Sequence, residues 1–390
     1  LSLKDELTKL GEISNITKNK VKHPAGWEPG IEWDGTKGIV NTGAIDEAPK
    51  DWSSILKIWG LDPEEIEIIE PIQLRAWDAP NGNGGTRRMF YYRAQVRKKS
   101  IEVNNVDLID VVKSWKPIKR SLTDHDGSSF IVAYADTQIG KIDGGGSEEI
   151  VNNVLDKTDL ALIRLKELRK LGRKISSIYL PQLGDCIEGF NSGGGNRSWR
   201  NDMDLTSQIR VYRRLLLHIV KTFAPYADKV IVPCVPGNHD EAVRQGNQMA
   251  TSYTDSFALD AASAVADALK ENSDYDHVSF VFPKFDTLSI TLDVSNTTIG
   301  FIHGHQTRNK AVDWWAKQAH GMQPIGDASI LLSGHFHHLV VQQSGAKTWI
   351  QMPALDGGSN WFEERTGQSA PAGLVTLVVN NNKWNDLEIL

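Results

Sequence analysis

Five short apolar runs in this chain each close on residues that can bind a cation, and that order restricts the fold more than any other feature. FIVAYAD (130–136) ends on Asp136 and leads to Gln138. ISSIYLPQLGD (175–185) ends on Gly184-Asp185, and KVIVPCVPGNHD (229–240) ends on Gly237-Asn238-His239-Asp240. TTIGFIHG (297–304) delivers His303 with His305 beyond it, and ASILLSGHFHH (328–338) delivers His335, His337 and His338. Short apolar runs bounded by glycine pattern as buried strands. Between the first three lie helical patterns, DLALIRLKELRKLG (159–172) and LTSQIRVYRRLLLHIVKTFAPYA (205–227). Strand–helix alternation predicts α/β layers with ligands at the carboxyl ends of the strands. Later strands (VSFVF, LSITLDV, TWIQMPAL, AGLVTLVV) have fewer helices between them, which predicts a second sheet packed on the first.

A single histidine after a strand is more often structural than ligating. Five such endings in series are hard to explain as solvated loops. Mixed Asp, Asn and His donors suit Mn²⁺, Fe²⁺ or Zn²⁺, and no thiolate is needed. The donors outnumber what one tetrahedral ion requires, so two ions sharing a bridging carboxylate, about 3.5–4 Å apart, are expected.

The ordered set YADTQ, LGD, PGNHD, FIHGH and SGHFHH resembles the calcineurin-like metallophosphoesterases, over residues 130 to about 340. The resemblance implies a two-sheet sandwich of αββα type, an α/β fold, and a dinuclear phosphoesterase. It places Asp136, Gln138 and His337 on one metal, Asp185 between both, and Asn238, His303 and His335 on the other. His239 would contact the phosphoryl oxygens and protonate the leaving group. Phosphodiester hydrolysis would proceed by attack of a metal-bridging hydroxide, a water whose pKa two such ions lower from about 15.7 to about 7. The family has His where this chain has Gln138. An amide oxygen is a weaker, harder donor than imidazole, so a looser site preferring Mn²⁺ or Mg²⁺ over Zn²⁺ is expected, or Gln138 does not ligate at all. His305 could replace His303 as the ligand. His338 fits a supporting or surface position, and His320 has no motif around it.

Composition narrows the alternatives. The chain has 390 residues, 40% hydrophobic and 24% charged, which excludes a mainly disordered protein. Its formal charge of −6 argues against coating nucleic acid by charge alone and leaves room for a local basic strip. Two cysteines, Cys186 and Cys234, make no disulfide framework, and no apolar run approaches the roughly 18 residues of a membrane span. A reducing, cytoplasmic location without membrane contact is therefore expected, in the host cytoplasm if the chain is phage-encoded. The opening LSLKDELTKLGEI has no apolar signal core. It also lacks Met, so the sequence is expected to begin inside a longer product.

Two regions bear on the substrate. The loop after Asp185 carries Arg197, Trp199 and Arg200, which suit stacking on a base beside a phosphate clamp; a solvated loop is the alternative. In the front part, residues 51–69 are patterned as two short helices, the second starting at Asp62. IQLRAW and RRMFYYRAQVRKK flank the turn-rich PNGNGG as a hairpin. This predicts a small α+β domain of winged-helix type over 1–125 and a catalytic domain over 126–390. Arg87, Arg88, Arg93, Arg97, Lys98 and Lys99 could track a phosphate backbone, or guard an edge strand. The small front domain, with the GD-x-x-E-G and L-T-x-Q-I-R-x-Y patterns, resembles phage-encoded enzymes grouped with the SbcD and Mre nucleases. A DNA exo- or endonuclease is the first expectation, with DNA as partner and Mn²⁺ as metal. The alternatives are a phosphodiesterase or phosphatase acting on cyclic or linear nucleotides, and a nucleic-acid- or protein-binding module with a degenerate metal site. A homodimer or a protein partner would use the front domain.

Overall fold

A computed structural model of the chain describes residues 29–33, 37–47, 49, 51–82, 84–98, 108–120, 127–190, 200–245, 248–358, 363–364, 367 and 371–390. The chain divides into two compact units, Leu1–Glu102 and Val103–Leu390.

The first unit is an antiparallel sheet of β1 (Gly30–Trp33), β2 (Lys37–Ile45), β3 (Ile66–Pro80) and β4 (Thr86–Lys98), in the order β1-β2-β4-β3. A helix, α1 (Ser53–Ile58), adds Ile55 and Leu56 to a small core with Val40, Ile66 and Val96. Asp51 Oδ1 accepts from Ser53 N at 2.9 Å at its start. The hairpin expected from the sequence is formed, and Asn81 closes its turn by accepting from Gly85 N at 3.0 Å. The helix expected at Asp62 is not. Asp62 caps a single turn through Glu64 N at 2.9 Å, and the chain then pairs as a strand from Ile66, where Ile66, Ile68 and Ile69 are β-branched. Among the described residues the unit therefore has one short helix and no helix–turn–helix. Since β4 lies between β2 and β3 over Phe90–Arg97, Arg93 and Arg97 do not guard an edge, while Arg87 and Arg88 lie beyond the stretch paired with β2.

In the second unit, β5 (Ser128–Ala133), β6 (Ile175–Tyr179), β7 (Lys229–Pro233) and β10 (Val278–Val281) run parallel, and β16 (Val375–Asn380) and β17 (Lys383–Ile389) extend the sheet antiparallel. The second sheet has the order β11-β12-β13-β15-β14, from Ser289–Asp293, Thr298–Ile302, Ile330–Ser333, Lys347–Gln351 and Val340–Ser344 respectively. Two-residue strands β8 (Arg244–Gln245) and β9 (Gln248–Met249) pair separately.

The layers follow from alternation along each strand. On β5, Phe130 and Val132 enter a core shared with α3 (Gly146–Lys170), α4 (Leu205–Phe223) and α5 (Phe257–Leu269). Ile131 and Ala133 face the other way, into a core between the sheets with Phe301, Leu332 and Ile350. Leu331 turns outward to a third core with Trp315 of α6 (Ala311–His320). The result is a helix–sheet–sheet–helix stack. Trp315 is buried there, its Nε1 donating to Ile325 O at 2.7 Å, so it is a packing residue.

The helix expected at 159 begins at Gly146. Its buried stripe is Ile150, Val154, Thr158, Ala161, Leu165 and Leu168, while Leu160 and Ile163 are exposed. Its inner face also takes in Gly146, Ser147, Thr158 and Ala161, small or polar residues that blur the apolar spacing of the first half. Residues 108–120, which include α2 (Leu108–Lys113), fall within this second unit. Asn272 Nδ2 donates to Val112 O at 3.0 Å, Ile118 N donates to Asp274 at 3.1 Å, and the Trp115 ring lies 5.0 Å from that of Tyr275. Among the described residues no helix is long and apolar enough to cross a membrane.

Candidate metal centre

The loops leaving β5, β6 and β7 continue the parallel ladder past the strand ends. Asp136 N donates to Gly184 O at 3.2 Å and Gln138 N to Asp185 O at 2.9 Å, and an isolated bridge joins Gln182 to Cys234. In the second sheet Gly334 N donates to His303 O at 2.7 Å. This lacing brings residues from five strand ends to one rim.

Holding them there requires unusual backbone. Asp136, Gln138, Asp185, His335 and His337 all adopt left-handed φ, from 42° at Gln138 to 76° at His335. Such residues persist only where the surroundings impose them, and they cluster at functional sites. The glycines allow close approach rather than flexibility. A Cβ at Gly237 would lie 2.0 Å from Asp185 Oδ1, and one at Gly334 would lie 2.5 Å from Asp136 Oδ2.

Two neighbouring groups result. In the first, His303 Nδ1 faces Leu183 O at 2.7 Å, which directs Nε2 inward. That nitrogen is 2.9 Å from Asp185 Oδ2, 3.2 Å from Asn238 Oδ1 and 3.1 Å from His335 Nδ1. One N–H cannot serve three acceptors at once. Donor atoms of Asp185, His303 and His335 all lie within 4.8 Å of one another, a spacing that could hold a metal ion. In the second group His337 Nε2 is 3.3 Å from Asp136 Oδ1, a buried oxygen with no hydrogen-bond partner. His335 joins the groups, since its backbone N donates to Asp136 Oδ2 at 2.8 Å. Gln138 is buried beside them.

The electrostatics agree with a site for cations. Burial alone would raise the Asp185 carboxyl, but His303 and His239 hold it far below the usual carboxylate range. Burial alone would lower the histidines. Asp185 outweighs it at His303, raising it to about 9, and Asp356 with Asp136 raises His337 to about 10. His335 goes the other way, down to about 4, through burial and the neighbouring His303. His305, its ring 5.4 Å from that of His303, falls to about 3 for the same reasons. The buried carboxylates thus favour positive charge beside them, which imidazolium or divalent cations could supply. Carboxylate, amide and imidazole donors with an orphaned Asp136 oxygen fit such ions well.

His239 stands beside the first group. Its backbone N donates to Asp185 Oδ1 at 2.7 Å, and its Nδ1 is 3.1 Å from Glu188 O and 3.3 Å from Glu188 Oε2. Nε2 is left on the open side, 4.0 Å from Asp185 Oδ2. Against burial, Asp185 and Glu188 raise this imidazole to about 10.

Four buried residues to which the sequence assigned no role also belong here. Glu188 orients His239. Asp240 accepts from Cys186 N, Ile187 N and Gly237 N at 2.9, 3.2 and 3.0 Å, stitching two ligand loops together. Asp356 lies 3.3 Å from His337 Nδ1, and Lys141 pairs with Asp356. Asp356 could have been found: TWIQMPALDGG is a sixth apolar run ending in an acid and glycines.

The proposed substrate contacts are less concentrated. Arg197 and Trp199 lie outside the described residues, as does Lys99. Arg200 is half-buried, and its carbonyl accepts from Ile142 N at 2.8 Å. In the first unit Arg87 pairs with Asp46 at 3.5 Å, Arg88 with Asp78 at 3.2 Å, and Arg97 with Glu67. Arg93 is exposed, and Lys98 ends β4.

No protein-family model matches the chain, and no curated protein does. Among solved structures it is similar to a Streptococcus pneumoniae protein described as a predicted phosphoesterase, at 12% identity over 67% of this chain and 89% of that one, with a TM-score of 0.29. It is also similar to vacuolar protein sorting 29 of Cryptosporidium parvum, at 15% identity over 67% and 98%, TM-score 0.32. An archaeal phosphodiesterase matches at 12% identity over 67% and 99%, TM-score 0.32.

Proposed function

We propose that the chain is a metal-dependent phosphoesterase of the calcineurin-like metallophosphoesterase class. The observation that carries this reading is the convergence of His303 Nε2, Asp185 Oδ2, Asn238 Oδ1 and His335 Nδ1, beside the orphaned Asp136 oxygen. Asn238, His303 and His335 would hold one ion, Asp136, His337 and Gln138 the other, with Asp185 shared between them. When bound, two divalent ions would lower the pKa of a water and offset charge on the phosphoryl oxygens. The chain's own part is positioning and proton supply. Asp185 also accepts from His239 N, which places that imidazole on the open side of the ligands. With Nδ1 anchored to Glu188, His239 Nε2 can contact a phosphoryl oxygen and deliver a proton to the leaving oxygen.

The preferred substrate is DNA, and the exposed arginines of the β3–β4 hairpin support it. Exposed ion pairs contribute only about 0–1 kcal/mol, so a phosphate backbone can displace Asp46, Asp78 and Glu67. Those same pairings favour a second reading, a nucleotide-sized phosphodiester that needs no hairpin grip. The test is hydrolysis of a chromogenic phosphodiester with Mn²⁺, run beside linear duplex DNA, single-stranded DNA, RNA and cyclic nucleotides. Turnover should fall on the order of a thousandfold in Asp185→Asn. Turnover unchanged by that substitution, or independent of metal, would sink the proposal.

A further inference from the structure

A carboxylate outside the ligand set sits behind His337. Asp356 is buried, its Oδ2 3.3 Å from His337 Nδ1, while His337 Nε2 faces Asp136 Oδ1 at 3.3 Å. The rest of its capacity is taken. Oδ1 accepts from Gly358 N at 3.2 Å, and Oδ2 also pairs with the buried ammonium of Lys141. Lys141 reaches the same region by a second route, since its backbone N donates to Gln138 O at 3.0 Å. The two loops also meet directly: a Cβ on Gly144 would lie 2.8 Å from Gly357 C, and one on Gly357 would lie 2.7 Å from Gly144 O.

Resting on the two-ion reading above, we propose that Asp356, anchored by Lys141, is a positioning residue for the metal position formed by Asp136, Gln138 and His337. Both nitrogens of the His337 ring face a carboxylate, Nδ1 that of Asp356 and Nε2 that of Asp136. A cation held by Nε2 and Asp136 would need the Nε2 lone pair, and Asp356 would then hold the ring proton on Nδ1. Lys141 balances the carboxylate charge and keeps Asp356 from swinging inward to become a ligand. The same lysine ties this arrangement to Gln138, the weakest donor of the set. Asp356 makes no contact with the Asp185–His303–His335 group, so its effect should be confined to one ion.

The test titrates the full chain with Mn²⁺ alone, reading stoichiometry by calorimetry and ion–ion coupling by electron paramagnetic resonance. Removing Asp356 singly strands the Lys141 charge and could unfold the chain, so the informative variants are neutral pairs. Asp356→Ala with Lys141→Met should keep the wild-type circular dichroism spectrum. It should weaken one of two Mn²⁺ by about 10–100-fold and replace the coupled spectrum by that of an isolated ion. Asp356→Asn with Lys141→Met retains a carbonyl that accepts from Nδ1–H, and should bind both ions. If the alanine pair binds two coupled ions as tightly as wild type, or loses both equally, Asp356 does not position His337. A wild-type chain that binds fewer than two Mn²⁺ would overturn the two-ion reading and this proposal together, an outcome visible before any variant is made.

Discussion

His239 and Asp185 are close in space and differ in kind. Asp185 is fully buried, in contact with His303 and with the His239 backbone, so its loss removes the centre of the ligand set. The hydrogen bond from His239 to that set is made by its backbone N–H. Its imidazole is held from behind by Glu188 and is partly exposed. His239→Ala should therefore leave Mn²⁺ stoichiometry intact and lower kcat by about 10²–10⁴-fold, the range for losing a positioned general acid. The measurement pairs calorimetry with steady-state kinetics. A variant that loses metal as well as rate would show that the ring, not the backbone, supports the centre. The residues that gather around these two were legible in the sequence because each follows an apolar run. Asp356 follows such a run too, but four residues separate it from the strand proper, and its partner is a lysine 215 positions away. His303, directly before the glycine, is the ligand the resemblance favours, with His305 as the alternative. The Nδ1 contact of His303 with Leu183 O distinguishes them, and that contact spans 120 positions.

At the scale of elements, strands were more readable than helices. Every apolar run named in the second unit lies on or next to a strand, because both faces of these sheets are covered and the runs are continuous. In α3 the inner face includes Thr158, whose hydroxyl is satisfied by Tyr134 at 2.9 Å and by Val154 O at 2.6 Å, so polarity there misstates burial. The helix pattern at 62 failed because the Asp62 cap is real but the residues after it prefer a strand. Helix α4 shows a cap that succeeds. Asp204 Oδ1 accepts from Ser207 N at 2.8 Å, and this hydrogen bond is the main reason its carboxyl lies below the ordinary value. Asp204→Ala should lower stability by about 1 kcal/mol, seen as a lower Tm at neutral pH. Because the folded-state pKa is depressed, the contribution is present above the ordinary carboxylate pKa and is lost as pH falls through the lowered one. The difference in Tm between wild type and variant should accordingly shrink in acid. A gap that persists unchanged there would mean the carboxylate is not the source of the capping energy.

For the whole molecule, the question is which unit carries which task. The three large cores and every described candidate ligand lie in Val103–Leu390, including the stretch 108–120 that packs on residues 272–275. The small core of Val40, Ile55, Leu56, Ile66 and Val96 shares no residue with them. A formal charge of −6 leaves no general attraction for nucleic acid, so any grip on DNA must come from a local patch, and the β4 cations supply one candidate. If so, chemistry and grip are separable. The fragment 103–390 should fold cooperatively and hydrolyse a chromogenic phosphodiester with Mn²⁺ at the rate of the full chain. Its affinity for linear DNA should drop, and with it the steep dependence of log affinity on log salt that comes from counterion release. Replacing Arg87, Arg88, Arg93 and Arg97 by Gln in the full chain should reproduce that loss of salt slope while leaving diester turnover alone. If the fragment folds, keeps its diester activity and binds DNA with the full chain's salt slope, the hairpin is not the grip. The phosphate contacts would then have to be sought in the second unit.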